Sequence, residues 1–166
     1  MNRFDLLTLP GVAGCLLLSA FPESTAILDR YAAAGAGLVL SLTTTQEMTA
    51  LGMPPDLLAR TCRERGMAWR HMEIADMGVA GSAALETWRE IAPLAHGLID
   101  AGSTVAIHCR MGLGRTGTLA GLLLIERGMA PHEAIAAIRQ ARPGSIETAR
   151  QQAMIEGWTA RYQPGT

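Results

Sequence analysis

The segment His108-Cys109-Arg110-Met111-Gly112-Leu113-Gly114-Arg115-Thr116-Gly117 constrains this chain more than any other. The apolar run Thr104-Val105-Ala106-Ile107 leads into it with β-strand character, and a helix-like run begins near Thr116. Gly112, Gly114 and Gly117 allow a tight turn and a close backbone approach between the two. The chain must therefore build a strand, a compact loop and a helix in direct succession.

The rest of the sequence repeats that alternation. Residues 4–9 and 15–20 read as two strands around Pro10-Gly11, a hairpin-like opening. A helix over 22–34 is stopped by Gly35 and Gly37, and 38–42 is a short buried strand. Thr43-Thr44-Thr45-Gln46 looks like a helix cap, followed by a loop with Gly52, Pro54 and Pro55. A helix over 56–65, a strand over 67–74 and a Gly-containing loop over 76–82 come next. A long helix over 83–101, bent at Pro93, precedes the strand 104–108, and helices are predicted over 116–127, 131–141 and 148–161. The expected fold class is α/β, with a mostly parallel central sheet flanked by helices. No linker or repeat divides residues 1–166, so one domain is expected. The strand ending at Cys109 is the most apolar after residue 100, which predicts a central position. Its carboxyl end is where open α/β sheets place their ligands.

The chemistry of the loop follows from its residue types. A thiol attacks as the thiolate, and a free cysteine ionises near pH ~8.5. Inward-turned loop amides, the helix N-terminus and the Arg115 fork would each favour a thiolate at Cys109 and a bound phosphate dianion beside it. The Thr116 hydroxyl is expected to donate a hydrogen bond to the sulfur. Moving a phosphoryl group from a hydroxyl to a thiolate leaves an alkoxide or phenoxide, which a general acid should protonate. Asp76, at the junction of a strand and a Gly-containing loop, is the candidate, and Glu73 is its rival.

The Cys109 segment resembles the signature loop of the cysteine-dependent protein tyrosine and dual-specificity phosphatases. That resemblance implies a dual-specificity-phosphatase-like fold and a cysteinyl-phosphate intermediate. It makes Cys109 the nucleophile, Arg115 the phosphate clamp and Thr116 the hydroxyl that assists thiolate stability and departure. Arg110, Met111, Gly112, Leu113 and Gly114 would line the bound substrate. His71, Ile74 and Asp76 match a His-x-Pro-Ile-x-Asp-x-x-x-Pro loop of the kinase-associated phosphatases and their relatives, with Glu73 and Ala80 in place of the two prolines. His71 is expected to support that loop. Residues 142–151, from Arg142-Pro143-Gly144 to Gln151, are similar to an Arg-Pro-Gly-x-Ile-Glu-Thr-x-x-Gln segment of the same families. Taken alone, that stretch is a Pro-Gly turn with Thr148 as a helix cap. Gln151, rather than its neighbour Gln152, is then expected to position water for the second step. Leu9-Pro10-Gly11, Ser41-Leu42-Thr43 and Leu51-Gly52-Met53-Pro54 also fall where the kinase-associated group has similar stretches.

The expected function is phosphomonoester hydrolysis, on phosphoprotein or small phosphomonoester substrates. A phosphoinositide phosphatase and a phosphopeptide-binding pseudophosphatase are the alternatives. No metal or cofactor is called for, since Arg115 and the amides supply the positive charge. A net charge of −1 provides no global basic field, so no nucleic-acid partner is expected. Three widely spaced cysteines indicate neither a disulfide framework nor zinc-ligand spacing, and fit a reducing, cytoplasmic setting. Capture of Cys109 by Cys15 or Cys62 in a redox response is left open. Val12-Ala13-Gly14-Cys15 imitates a lipoprotein cleavage box, but Asp5, Pro10 and Gly11 interrupt any apolar run before it. Stable membrane association is accordingly not expected.

Overall fold

The structure, a computed structural model, describes residues 4–164. In chain order the elements are β1 (Phe4–Thr8), β2 (Cys15–Ser19), α1 (Thr25–Ala33), β3 (Ala36–Ser41), α2 (Thr45–Ala50), α3 (Pro55–Glu64) and β4 (Ala68–His71). They continue with α4 (Ser82–Asp100), β5 (Thr104–His108), α5 (Gly114–Glu126), α6 (Pro131–Ala141) and α7 (Ala149–Gly157). The five strands form one sheet in the order β1-β2-β5-β3-β4. Only β1 and β2 run antiparallel, and the other three pairings are parallel. β5 is the middle strand and all five of its residues are buried, as its apolar sequence predicts.

Side chains alternate across the sheet and divide the core in two. Leu16, Leu18, Leu38, Leu40, Val105 and Ile107 join the larger cluster, with Trp88 and Ile91 of α4, Leu119 and Leu123 of α5, Ile138 of α6 and Ile155 of α7. Leu17, Val39 and Ala106 face the other way, onto Leu28 and Tyr31 of α1 and Leu58 and Cys62 of α3. α5 is buried along its entire length, between the sheet, α6 and α7. This explains why glycine, alanine and leucine dominate a helix with no solvated face. Among the described residues no helix is long and apolar enough to cross a membrane.

The cap predicted at Thr43–Gln46 opens the short helix α2, through a capping box between Thr44 and Glu47. Several boundaries depart from the sequence expectation: β4 ends at His71 rather than at 74, and α1 begins at Thr25 rather than at 22. α5 starts at Gly114, so Arg115 lies in its first turn rather than in the loop before it. α7 ends at Gly157 instead of running to 161, because Trp158 turns extended, with ψ 130°. The chain after it lies back on α5: the Trp158 indole donates to the Glu126 carboxylate (3.1 Å) and the Tyr162 amide donates to the Glu126 carbonyl (2.9 Å). Pro93 sits inside α4 without ending it.

Candidate active site

The loop 109–113 joins the end of β5 to α5, and its backbone is fastened carbonyl by carbonyl. Arg110 O accepts from Phe21 N (2.9 Å), and Leu113 O accepts from Ile146 N (3.1 Å) and Gly117 N (3.0 Å). Met111 O and Gly112 O both accept from the Arg142 guanidinium, at 3.0 and 2.8 Å. Gly114 O accepts from the Thr118 hydroxyl (2.7 Å). In a trans peptide the N–H points away from the C=O. Carbonyls anchored outward therefore aim the following amides to the opposite side. The result is visible at Gly112, whose N–H donates to Cys109 Sγ (3.2 Å). Gly112 has φ +73°, and a Cβ there would stand 2.3 Å from the Ser19 carbonyl, so only glycine fits. Cys109 itself is buried, while Arg110 and Met111 point to solvent.

Arg115 lies over this loop, only 2 % exposed. Its two terminal nitrogens donate to the two carboxylate oxygens of Glu47, both at 2.8 Å. The Ile74 carbonyl accepts a third bond (2.9 Å) and Asp76 Oδ1 stands 3.1 Å away. Burial is the largest single effect and works against the guanidinium charge, but the Glu47 hydrogen bonds together with the neighbouring negative charges, Glu47 and Asp76 among them, push its pKa up. The same bonds hold the Glu47 carboxyl down at about 2. Arg115 Nε and Thr116 Oγ1 are both buried and have no hydrogen-bond partner among the described residues. The expected Thr116-to-sulfur hydrogen bond is therefore not formed. An anion seated on the loop would give Arg115 Nε the acceptor it lacks.

The second loop, over 72–81, brings Asp76 to this place. Asp76 is half exposed and its Oδ1 accepts from the amide of Met77, which adopts φ +60°. Glu73 is occupied elsewhere: it accepts from the amide and hydroxyl of Thr45 at the start of α2, and those bonds keep its carboxyl below the usual range. It thus ties the loop to α2 where the similar sequences carry a proline. His71 supports the loop, with Nε2 at 2.7 Å from Thr43 O and its ring stacked on Trp69. Gln151 is fully buried beside Gly114. Its Oε1 accepts from the amides of Glu147 and Thr148, and its Nε2 donates to Gly78 O (3.1 Å). It caps α7 and tethers the Asp76 loop, and its neighbour Gln152 bonds Arg139 and Glu156 away from this cluster.

His108 underpins the loop from the far side of the sheet. Trp69 Nε1 donates to Ser41 Oγ (2.8 Å), which leaves the Ser41 proton for His108 Nε2 (2.6 Å). Complete burial presses the His108 pKa down to about 3, so the ring is neutral. Cys15 pairs with Thr104 at the opposite end of β5 from Cys109. Five residues of strand separate those ends by roughly 16 Å, too far for a disulfide. Cys62 is buried under α3, and burial pushes its thiol up to about 12. Among the described residues no cluster of His, Cys, Asp and Glu is placed to hold a metal ion.

Two residues of this site escape a sequence reading. Glu47 is the carboxylate partner of Arg115, and its signal was the capping-box spacing Thr44-x-x-Glu47. Arg142 was visible as the first residue of the Arg-Pro-Gly segment and its turn, with nothing in the local pattern to indicate its reach to the loop.

This sheet order, and a cysteine loop followed by a buried arginine, are those of the cysteine-dependent tyrosine and dual-specificity phosphatase superfamily, to which the comparisons assign the chain. Residues 18–129 match the family described as Tc-R-P, the DSP-PTPase phosphatase of polymorphic toxin systems, and the chain belongs to it. It is 46 % identical over 65 residues to protein tyrosine phosphatase type IVA 3 of Bos taurus, covering 39 % of this chain and 35 % of that protein. It is also 46 % identical over 52 residues to dual specificity protein phosphatase CDC14B of Mus musculus, covering 31 % of this chain and 11 % of that one. The chain thus matches less than half the length of these curated relatives. Among solved structures, kinase associated phosphatase superposes with a TM-score of 0.80 at 23 % identity, over 93 % of this chain and 92 % of that one. Tk-PTP in its active form gives 0.71 at 27 %, over 92 % and 94 %.

Proposed function

We propose that this protein hydrolyses phosphomonoesters through a cysteinyl-phosphate intermediate, as a protein tyrosine or dual-specificity phosphatase. The observation that carries the reading is the Gly112 amide on the Cys109 sulfur, together with a buried Arg115 that interacts electrostatically with that cysteine and whose Nε has no partner among the described residues. The Cys109 thiolate attacks phosphorus in line with the departing oxygen. The phosphate oxygens rest on the loop amides of residues 110–114 and on the Arg115 fork, which Glu47 holds in its plane. Asp76, a few ångströms from the fork, protonates the leaving oxygen and then takes the proton of the attacking water. Glu73 is an unsuitable acid because Thr45 holds it ionised. Gln151 orients the region by anchoring Gly78, leaving one amide hydrogen for water. Thr116, with its free hydroxyl in the first turn of α5, can turn to the sulfur as the thiolate departs.

The rim favours a protein or aryl phosphate over a phosphoinositide. Met111 and Met77 are 61 % and 52 % exposed and flank the loop with apolar surface, and Arg110 is the single cation of the loop that faces solvent. The reading is tested with p-nitrophenyl phosphate, followed by a panel of phosphotyrosine peptide, phosphothreonine peptide and phosphoinositide head groups. Turnover should vanish in Cys109→Ser, and persistent hydrolysis by that variant overturns the nucleophile. Preference for the head groups would reassign the substrate class.

A further inference from the structure

Residues 142–146 carry more than a connection between α6 and α7. The Arg142 side chain crosses to the loop, and its guanidinium bonds include Nε to Gly112 O (2.8 Å), Nη2 to Met111 O (3.0 Å) and Nη1 to Asp5 Oδ2 of β1 (2.7 Å). The two carbonyls belong to the consecutive peptide planes 111–112 and 112–113. Fixing them fixes the N–H of Gly112 and of Leu113 on the other side of each plane. The first of these is the N–H that sits on the Cys109 sulfur. A cation at the oxygen end of a peptide also polarises it, strengthening the donor at its nitrogen end.

A second observation comes from the same segment. Ile146 adopts φ +64°, a conformation costly for a β-branched residue. In that conformation its amide reaches Leu113 O (3.1 Å), and Arg139 holds its carbonyl in place (3.2 Å). Strain is thus maintained where the segment grips the loop.

We propose that Arg142 is a positioning residue for the reaction: it sets the two peptide planes that aim the Gly112 and Leu113 amides at the sulfur and at the bound phosphoryl group. The inference rests on the phosphatase reading above. It predicts that Arg142 controls thiolate formation and anion affinity together, without touching substrate.

The test measures the pH profile of Cys109 alkylation by iodoacetamide, with Cys109→Ser as the blank, and phosphate affinity by thermal shift. Parent, Arg142→Ala and Arg142→Lys are compared. Lysine keeps the charge but cannot bridge two carbonyls and Asp5 in one plane, so it serves if the alanine variant fails to fold. The expected result for Arg142→Lys is a profile midpoint raised by about one pH unit, phosphate binding weakened about tenfold and kcat/KM reduced through both a lower kcat and a higher KM. A folded Arg142→Lys protein whose midpoint and phosphate affinity stay within twofold of the parent overturns the proposal. An ordinary-thiol profile in the parent itself would instead overturn the phosphatase reading.

Discussion

Replacing Glu47 isolates the carboxylate that holds Arg115. Glu47→Ala removes two charge-assisted bonds of 2.8 Å from a guanidinium that is 2 % exposed. Breaking a buried pair from one side costs about 3–5 kcal/mol. Arg115 retains Ile74 O at 2.9 Å and the Asp76 carboxylate at 3.1 Å, which puts the loss near the lower end, ~3 kcal/mol. Loss of the Thr44 capping box adds ~0.5–1 kcal/mol. At ~2–4 °C per kcal/mol for a chain of this size, the melting temperature should drop by roughly 7–16 °C. Glu47→Gln, which keeps shape and one acceptor, should lose about half of that. The pH dependence gives the sharper assay. The Glu47 carboxyl is held at about 2 in the folded protein against a usual 4.5. A depressed carboxyl stabilises fully above its unfolded value and loses that contribution as pH falls through the folded one. Scanning calorimetry of parent and Glu47→Gln should therefore show a constant gap above pH 5 that narrows from 4.5 and closes towards 2. A gap that stays level down to pH 2.5, or a Glu47→Ala variant melting within 2 °C of the parent, would show that Glu47 does not hold Arg115 in this way.

Asp76→Asn should lower kcat about 100-fold or more on alkyl phosphates and far less on p-nitrophenyl phosphate, whose leaving group needs no acid; equal loss on both would remove Asp76 from the acid role. His108, neutral in the fold and held at about 3, is protonated in the unfolded chain below about 6.5. Stability should thus fall with pH between those values, by up to ~1.4 kcal/mol per pH unit, and urea unfolding of His108→Asn at pH 7, 5.5 and 4.5 should lack that slope. Gly112→Ala, which drives a Cβ into the Ser19 carbonyl from φ +73°, should abolish the phosphate-induced thermal shift; a retained shift would show that the loop tolerates another backbone path.

The fold and the strand–loop–helix around Cys109 were legible because they depend on local chemistry. Apolar period and glycine spacing placed β5 in the middle of the sheet and a helix immediately after the loop. Asp76 could be named as a candidate because a strand–loop junction offers few carboxylates, and the structure puts it 3.1 Å from Arg115 while Thr45 occupies Glu73. What stayed hidden depends on long-range contact. Glu47 precedes Arg115 by 68 residues and looks like an ordinary helix cap until β3 and β5 bring α2 over the loop. Gln151 was legible as a loop neighbour but not as a helix cap and tether. Thr116 shows the reverse error: its position was readable, its expected bond to sulfur is absent.

The fastening of the loop carbonyls also sets an order of assembly. Phe21 and Thr118 lie within the 18–129 stretch that matches the family, but Arg142 and Ile146 lie beyond it. A chain emerging from its N-terminus holds Cys109 and Arg115 well before it holds the groups that turn the Met111, Gly112 and Leu113 carbonyls away from the sulfur. On the roles proposed above, a fragment ending at residue 129 would carry Cys109 and Arg115 without the Arg142 and Ile146 contacts that fasten the loop carbonyls.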